Sequence, residues 1–218
     1  MYRDGIVSVG YNYDSRYLFN AVLTYAGASQ MPAGDKYRVY PAFAVAWIAS
    51  NESFLHDNRI VDLLKLRASF GVTGMSARLS YDMDKQFNGG GNSYIFVGST
   101  SQYGTAQGAL PSTGIEPERE YRSNIGIELS LFKALTLDAD FFYNKRRNIR
   151  ISSEGTLSGV LGIGTPDVFT GEVRNYGWEV ALGWRKQIGD FSYGLHGQIS
   201  YAKNKIIRKE EGYKPHWY

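Results

Sequence analysis

Strict alternation of apolar and polar residues is the feature that most limits what this chain can fold into. Between Phe191 and Tyr201 the odd positions are mainly large and apolar, while the even positions are polar or small. Successive side chains of a β-strand point to opposite faces, so this pattern predicts a strand with one apolar face. The pattern occurs in about eight segments: Ile6–Tyr13, Tyr17–Tyr25, Val39–Trp47, Leu64–Gly71, Tyr121–Leu131, Leu135–Asn144, Tyr176–Arg185 and Phe191–Tyr201.

The apolar faces tend to begin and end in aromatic residues. Examples are the pairs Tyr17 and Tyr25, Tyr193 and Tyr201, and Trp178 and Trp184. Amphipathic rings are most stable at a boundary between lipid and water, so two aromatic rows would border an apolar band. The polar faces carry charged residues within the strands, namely Glu128, Asp138, Asp140, Glu179 and Arg185. We therefore predict an all-β fold, an antiparallel up-and-down transmembrane β-barrel segment with about eight or more strands.

Short and long connections alternate along the chain, as expected for barrels with short periplasmic turns and long outer loops. The short links are Asp14–Arg16, Phe132–Ala134 and Gln187–Asp190, and the long ones are Gly27–Lys36, Met75–Glu120 and Ser152–Gly171. The segment Ser50–Asp62 is longer than its periplasmic position predicts, and its sequence favours a short helix. The longest loop exceeds what plain coil usually spans, so we expect a further hairpin through Ser93–Gly98.

Composition excludes several classes of function. A net charge of +3, from 24 basic and 21 acidic residues, is too balanced to predict a nucleic-acid partner. The chain has no cysteine, and its three histidines have no metal-site spacing, so we predict no metal and no cofactor. No apolar run is long enough for a membrane-spanning helix. The N-terminus has no signal-peptide pattern, so we expect Met1 to lie inside a longer protein.

No group of residues predicts catalysis. Asp138 and Asp140 share a strand face, but a wet barrel lumen explains two carboxylates there better than acid–base chemistry does. Contact with lipopolysaccharide is one hypothesis for the basic cluster Lys145–Arg150, but a solvated strand end is the favoured explanation. Aromatic residues in or beside the long loop are the candidate ligand or lid contacts, or they pack the loop against itself: Tyr94, Phe96, Tyr103 and Tyr121.

Several blocks resemble the SusC/RagA-type TonB-dependent outer-membrane transporters and occur in that family's order. They are Tyr17–Leu23, Pro41–Trp47, Leu64–Gly74, Ser123–Glu128, Phe141–Lys145, Gly171–Glu179 and Ile199–Ile206. The resemblance covers most of the chain and is weakest in the longest loop. It implies a barrel of about 22 strands that is plugged by an N-terminal domain. It also implies import of oligosaccharides or peptides across the Gram-negative cell outer membrane.

The resemblance further implies three kinds of partner: TonB acting through the plug domain, a SusD-like surface lipoprotein over the extracellular mouth, and outer-membrane lipid and lipopolysaccharide. Residues 1–218 would then be a partial TonB-dependent receptor β-barrel, with the plug domain and C-terminal strands absent. Two alternatives stay open. One is a soluble or surface-anchored β-sandwich, such as a glycan-binding module or adhesin; the other is a complete small barrel of about eight strands.

Overall fold

The chain forms one large antiparallel sheet and a small separate hairpin, which is inserted in the sequence between the fourth and fifth strands of that sheet. The computed structural model describes residues 2–31, 34, 36–55, 58–75, 84–95, 101–112, 114–153 and 163–209. Its strands are β1 (Tyr2–Tyr13), β2 (Tyr17–Ala28), β3 (Tyr37–Ile48), β4 (Val61–Met75), β5 (Phe87–Ile95), β6 (Ser101–Gln107), β7 (Glu118–Leu131), β8 (Leu135–Ile151), β9 (Val168–Ile188) and β10 (Phe191–Arg208), with one 3₁₀ turn at Ala49–Asn51. No helix among these residues is long and apolar enough to cross a membrane.

Eight strands pair in the order β1-β2-β3-β4-β7-β8-β9-β10, and each is antiparallel to its neighbour in this order. The eight predicted strands are therefore confirmed, in up-and-down order. The inserted hairpin, β5 with β6, forms its own two-stranded sheet, and Ser93 pairs with Tyr103 within it. The hairpin predicted through Ser93–Gly98 is thus confirmed in part, since residues 96–100 lie outside the described residues.

The register places the apolar residues of neighbouring strands directly opposite one another. One rung runs through Ile127, Ala139, Val180 and Ile199, and the rung beside it includes Ile125, Phe141, Trp178 and Tyr201. All apolar sets therefore share a single face of the sheet. This face carries no second sheet in the described part of the chain: Phe141 stays 51% exposed, Leu182 48% and Leu195 73%. The β-sandwich alternative required these residues to be buried, so it is wrong.

The sheet is open at both edges. Among the described residues β1 pairs only with β2, and β10 pairs only with β9. A complete eight-stranded barrel would need these two edge strands to pair with each other. The small-barrel alternative is therefore wrong as well, and the eight strands form part of a wall.

Aromatic rows border the apolar face, although on β9 the row nearer the long loops is at Tyr176, one same-face position beyond the predicted Trp178. Tyr25 lies eight positions after Tyr17 on β2, and Trp184 lies eight positions after Tyr176 on β9. At about 3.4 Å per residue and a tilt of about 40°, this spacing spans about 21 Å across a membrane. Apolar bands of outer-membrane barrels are about 25 Å tall. Rings within the rows touch: Tyr25 stacks on Tyr37 with centroids 5.1 Å apart.

The buried core lies at the edge of the sheet where the long connections emerge. Ala28, Met31, Ile115 and Phe169 form its apolar cluster. Pro117 is among the most deeply buried side chains of the described residues. The connections that start and end the long loops therefore pack on each other, while the strands below expose both faces.

Two of the short turns use residues other than glycine in left-handed conformations. Asp14 and Ser15 have φ of 52° and 51°, and Arg16 N–H donates to the Tyr13 carbonyl at 3.0 Å. Phe132 and Lys133 repeat this geometry between β7 and β8. Such type I′ turns match the twist of paired strands, but they strain residues that carry a Cβ.

Replacing Ser15 by glycine is expected to stabilise the protein by about 1 kcal/mol. Glycine adopts positive φ without a steric penalty, and its greater freedom in the unfolded chain offsets only part of that gain. The backbone N–H of residue 15 keeps its hydrogen bond to the Asn12 side-chain oxygen. Urea unfolding in lipid vesicles measures the change. An equal gain from Ser192→Gly, inside β10, would contradict this explanation.

Candidate functional site

The polar face of the sheet is concave and forms a large open cavity of about 1050 Å³. Polar-face residues from seven strands line it, including Asn12, Asn20, Arg67, Asn124, Asn144 and Glu179. One cavity can touch seven neighbouring strands only if the sheet curves around it. The candidate site is therefore the inner surface of a curved wall, with the apolar face outside.

Arg67 on β4 is the hub of an ion-pair network on this inner face. Its guanidinium lies 2.8 Å from Asp138, 2.5 Å from Asp140 and 3.5 Å from Glu128. Lys65 lies 3.1 Å from Glu128. The network ties together β4, β7 and β8, and it accounts for the charges that alternate with apolar residues along these strands.

Gly126 provides the space for this hub. It lies between Arg67 and Asp140 on β7, opposite both of them in the register. A Cβ at position 126 would lie 2.4 Å from Arg67 Nε and 2.6 Å from Asp140 Oδ1. The absence of a side chain lets the arginine cross one strand and reach the carboxylate on the next.

A row of three asparagines, continued by Arg122, crosses the inner face nearer to the long loops, and we call it the amide row. The register places Arg122 opposite Asn144, Asn144 opposite Asn175, and Asn175 opposite Asn204. The side-chain oxygen of Asn175 is buried and has no hydrogen-bond partner among the described residues. An amide both donates and accepts, so this row offers hydrogen bonds to neutral polar ligands.

At the opposite edge Glu52 links the connection after β3 to the turn between β1 and β2. Its carboxylate accepts hydrogen bonds from the Tyr17 hydroxyl at 2.7 Å and the Trp47 indole at 3.1 Å, and Arg16 lies 3.4 Å away. The Asn51 amide donates to the Ser15 carbonyl at 2.7 Å. The 3₁₀ turn after β3 therefore holds the first hairpin, and two rings of the aromatic row gain polar partners.

This arrangement predicts a pH dependence of stability. The hydrogen bond from Tyr17, followed by that from Trp47, holds the pKa of Glu52 below its ordinary value of 4.5. Because the pKa is lowered by folding, the contribution of Glu52 is present above pH 4.5 and is lost as the pH falls through the folded-state value. We expect Glu52→Gln to lower the urea midpoint at pH 7 and to have less effect at pH 3.5.

Asp190→Asn is the matched control, because Asp190 is a carboxylate in another short turn. Because this variant keeps Glu52, the urea midpoint is expected to differ between pH 7 and pH 3.5 by the same amount as in the parent protein. An equal loss of stability for Glu52→Gln at both pH values would contradict the assignment.

The described backbone positions of the aromatic residues predicted as ligand or lid contacts lie in two different sheets. Positions 94 and 103 lie on neighbouring rungs of the β5–β6 hairpin. Tyr121 lies in the large sheet, opposite Val72 and Lys145, on the apolar face. Phe96 is outside the described residues. Their role in ligand contact stays a prediction.

Several of the charged residues considered from sequence have oppositely charged partners. Asp138 and Asp140 share Arg67 as a cation partner, which is the arrangement expected for the wall of a lumen. In the basic cluster Lys145–Arg150, Lys145 and Arg147 contact Glu172 at 2.9 Å and 3.3 Å. Sequence reasoning named these residues without finding the hub at Arg67, because the hub depends on pairing across three strands.

Comparisons with known proteins agree with this geometry. The family model described as TonB dependent receptor-like, beta-barrel matches residues 6–216. The chain is 26% identical over 206 residues to TonB-dependent receptor P3 of Formosa agariphila. It is 23% identical over 209 residues to TonB-dependent receptor SusC of Bacteroides thetaiotaomicron. Each match covers 94% of this chain and 20% of the relative.

Solved structures support the same fold. The RagAB peptide importer in its open-open state superposes with a TM-score of 0.81 at 15% identity, over 95% of this chain and 22% of that chain. The chain thus spans about a fifth of the length of the curated relatives that it matches. Family members are outer-membrane barrels of Gram-negative bacteria that act as receptors and transporters. Because the family model matches nearly the whole sequence, this chain belongs to the TonB-dependent receptor-like β-barrel family.

Proposed function

We propose that this chain forms eight consecutive strands in the wall of an outer-membrane importer. The observation that carries the proposal is the register, which gathers the apolar residues of all eight strands on one face, with aromatic rows at both ends. The outer face would meet lipid, and the concave polar face would line the import path. The short turns would lie in the periplasm and the long loops outside the cell.

The rest of the importer would come from the longer protein of which this chain is a part. Its plug domain would close the barrel and pass the force from TonB to the transport path. A SusD-like lipoprotein would cover the extracellular mouth and deliver the substrate. The similarity to SusC and to the RagAB importer, over a fifth of each protein, supports this arrangement.

The substrate class proposed is an oligosaccharide or a peptide. Both are neutral or weakly charged chains with many hydrogen-bond donors and acceptors. The amide row of Asn144, Asn175 and Asn204, with the guanidinium donor of Arg122 at its end, suits such a ligand, because amides can bind hydroxyl groups and peptide groups alike. The row lies on the inner face at the end nearer the long loops, where a substrate entering from outside would pass.

Deletion of the gene in its native host tests this function. We expect the deletion strain to lose growth on at least one oligosaccharide or peptide mixture supplied as the sole carbon source. A strain without TonB should lose growth on the same substrate. Unchanged growth of the deletion strain on every such substrate, with the protein absent from the outer-membrane fraction of the parent strain, would contradict the proposal.

Replacing Asn144 and Asn175 together by alanine is expected to slow uptake of that substrate about tenfold. Each lost hydrogen bond weakens binding by roughly threefold, while the strands keep their backbone ladder. The control is Gln198→Ala, an amide on the same face but nearer to the short turns. Uptake of labelled substrate is measured at equal amounts of receptor in the membrane. Equal uptake by the double variant and the control would remove the amide row from the proposed path.

A further inference from the structure

Basic residues collect on the outer face of β8, β9 and β10, just beyond the aromatic row nearest the long loops. The register places Lys145 opposite Arg174, and Arg174 opposite Lys205. The rung below runs through Tyr143, Tyr176 and Lys203. Together with Arg147 and the single acid Glu172, these side chains form a surface that we call the outer basic patch: Lys145, Arg147, Arg174, Lys203 and Lys205 around Glu172.

The patch has a strong excess of positive charge. Glu172 is shared by Lys145 at 2.9 Å and by Arg147 and Arg174 at 3.3 Å each. One carboxylate cannot neutralise three cations, and Lys203 and Lys205 on the neighbouring strand add two more. Five positive charges against one negative charge leave the patch at about +4. Cations packed this closely repel one another, so an anionic ligand would stabilise them.

The position of the patch identifies the kind of anion. Tyr143 and Tyr176 mark the lipid–water boundary, and the patch begins on the same rung and rises by one or two rungs. Directly below, Phe141 and Trp178 belong to the apolar band that would contact acyl chains. The patch therefore lies at the depth of lipid headgroups, in the leaflet on the side of the long loops.

We propose that the outer basic patch binds the phosphate groups of lipopolysaccharide. This inference rests on the proposed function, because it requires the long loops to face the cell exterior. Lipopolysaccharide supplies phosphates joined to acyl chains, so it can satisfy the patch and the apolar band together. Arginine suits phosphate because its planar guanidinium can bind two oxygens, and lysine adds a flexible point charge. A free phosphate would contact the cations but not the apolar band.

The test uses the full-length receptor purified from the outer membrane in mild detergent. The variant Lys203→Gln/Lys205→Gln removes two charges that no carboxylate contacts in the described residues. The matched control is Lys133→Gln/Lys186→Gln, which removes two charges at the short-turn end of the wall. Native mass spectrometry titrates each protein with diphosphoryl lipid A, and with zwitterionic phosphatidylethanolamine as the comparison lipid.

We expect the patch variant to bind lipid A at least about tenfold more weakly than the parent protein, because each basic side chain near an anionic surface contributes roughly fivefold. The control variant should bind lipid A like the parent protein, and phosphatidylethanolamine should bind all three proteins alike. Equal binding of lipid A by the patch variant and the parent protein would overturn the inference. Fractionation of the cell membranes distinguishes this result from failure of the proposed function. If the proposed function were wrong, the parent protein would be absent from the outer-membrane fraction.

Discussion

Replacing Val180 by arginine is expected to destabilise the barrel by about 2–4 kcal/mol and to reduce its amount in the outer membrane severely. Val180 lies on the central rung of the apolar face, between Ala139 and Ile199. An arginine at mid-depth on a lipid-facing strand must leave its charge in hydrocarbon or bend far to reach water. Outer-membrane fractionation and urea unfolding in lipid vesicles measure the two effects.

The adjacent residue provides the matched control. Ala181 follows Val180 on β9 but belongs to the polar face, where it lies opposite Asp138. Ala181→Arg adds the same side chain at the same depth, in contact with water and near a carboxylate. It is expected to change stability by less than about 1 kcal/mol. If Ala181→Arg were as harmful as Val180→Arg, the assignment of the two faces would be contradicted.

Replacing Arg67 by leucine is expected to cost about 2 kcal/mol of stability. The change leaves Asp138, Asp140 and Glu128 close together without their shared cation, and an ion cluster that loses one partner is destabilised by repulsion. The side chain of Arg67 is 34% exposed, so solvent screening keeps the loss below that of a fully buried pair. Urea unfolding in vesicles measures it.

Lys65→Leu is the control, because Lys65 lies two residues earlier on the same face and contacts only Glu128 among the described carboxylates. Its expected cost is below about 1 kcal/mol. The variant Arg67→Leu/Asp140→Asn should recover part of the loss, because it removes one of the repelling charges. A double variant less stable than Arg67→Leu alone would show that repulsion is not the cause.

The strands and their faces could be predicted because successive side chains of a strand point to opposite faces, so that residues two apart meet the same environment. The run from Leu135 to Asn144 identifies β8 correctly, and its apolar residues share the face to which the register assigns them. The ends of the strands were less predictable. β8 continues to Ile151 and β9 begins at Val168. Beyond the lipid, ladder hydrogen bonds persist while the alternation fades, so nothing in the sequence marks where pairing stops.

The contacts that organise the inner face depend on the register and could not be found from the sequence. Arg67 and Asp140 are 73 residues apart, and Gly126 matters only because it lies between them. Glu52 was missed for a similar reason, since its 3₁₀ turn reaches back to Tyr17, 35 residues earlier. The sequence indicated which residues were polar, but only the paired strands show which of them meet.

The central claim is that alternate side chains along each strand meet lipid and water. A nitroxide scan of the full-length receptor in lipid vesicles, with single cysteines at positions 176–184 of β9, tests it most directly. Our account predicts that collisions with oxygen, which concentrates in lipid, peak at the even positions, including 178, 180 and 182. Collisions with a water-soluble nickel complex should peak at the odd positions. Even positions shielded from oxygen, or a period other than two, would contradict the account.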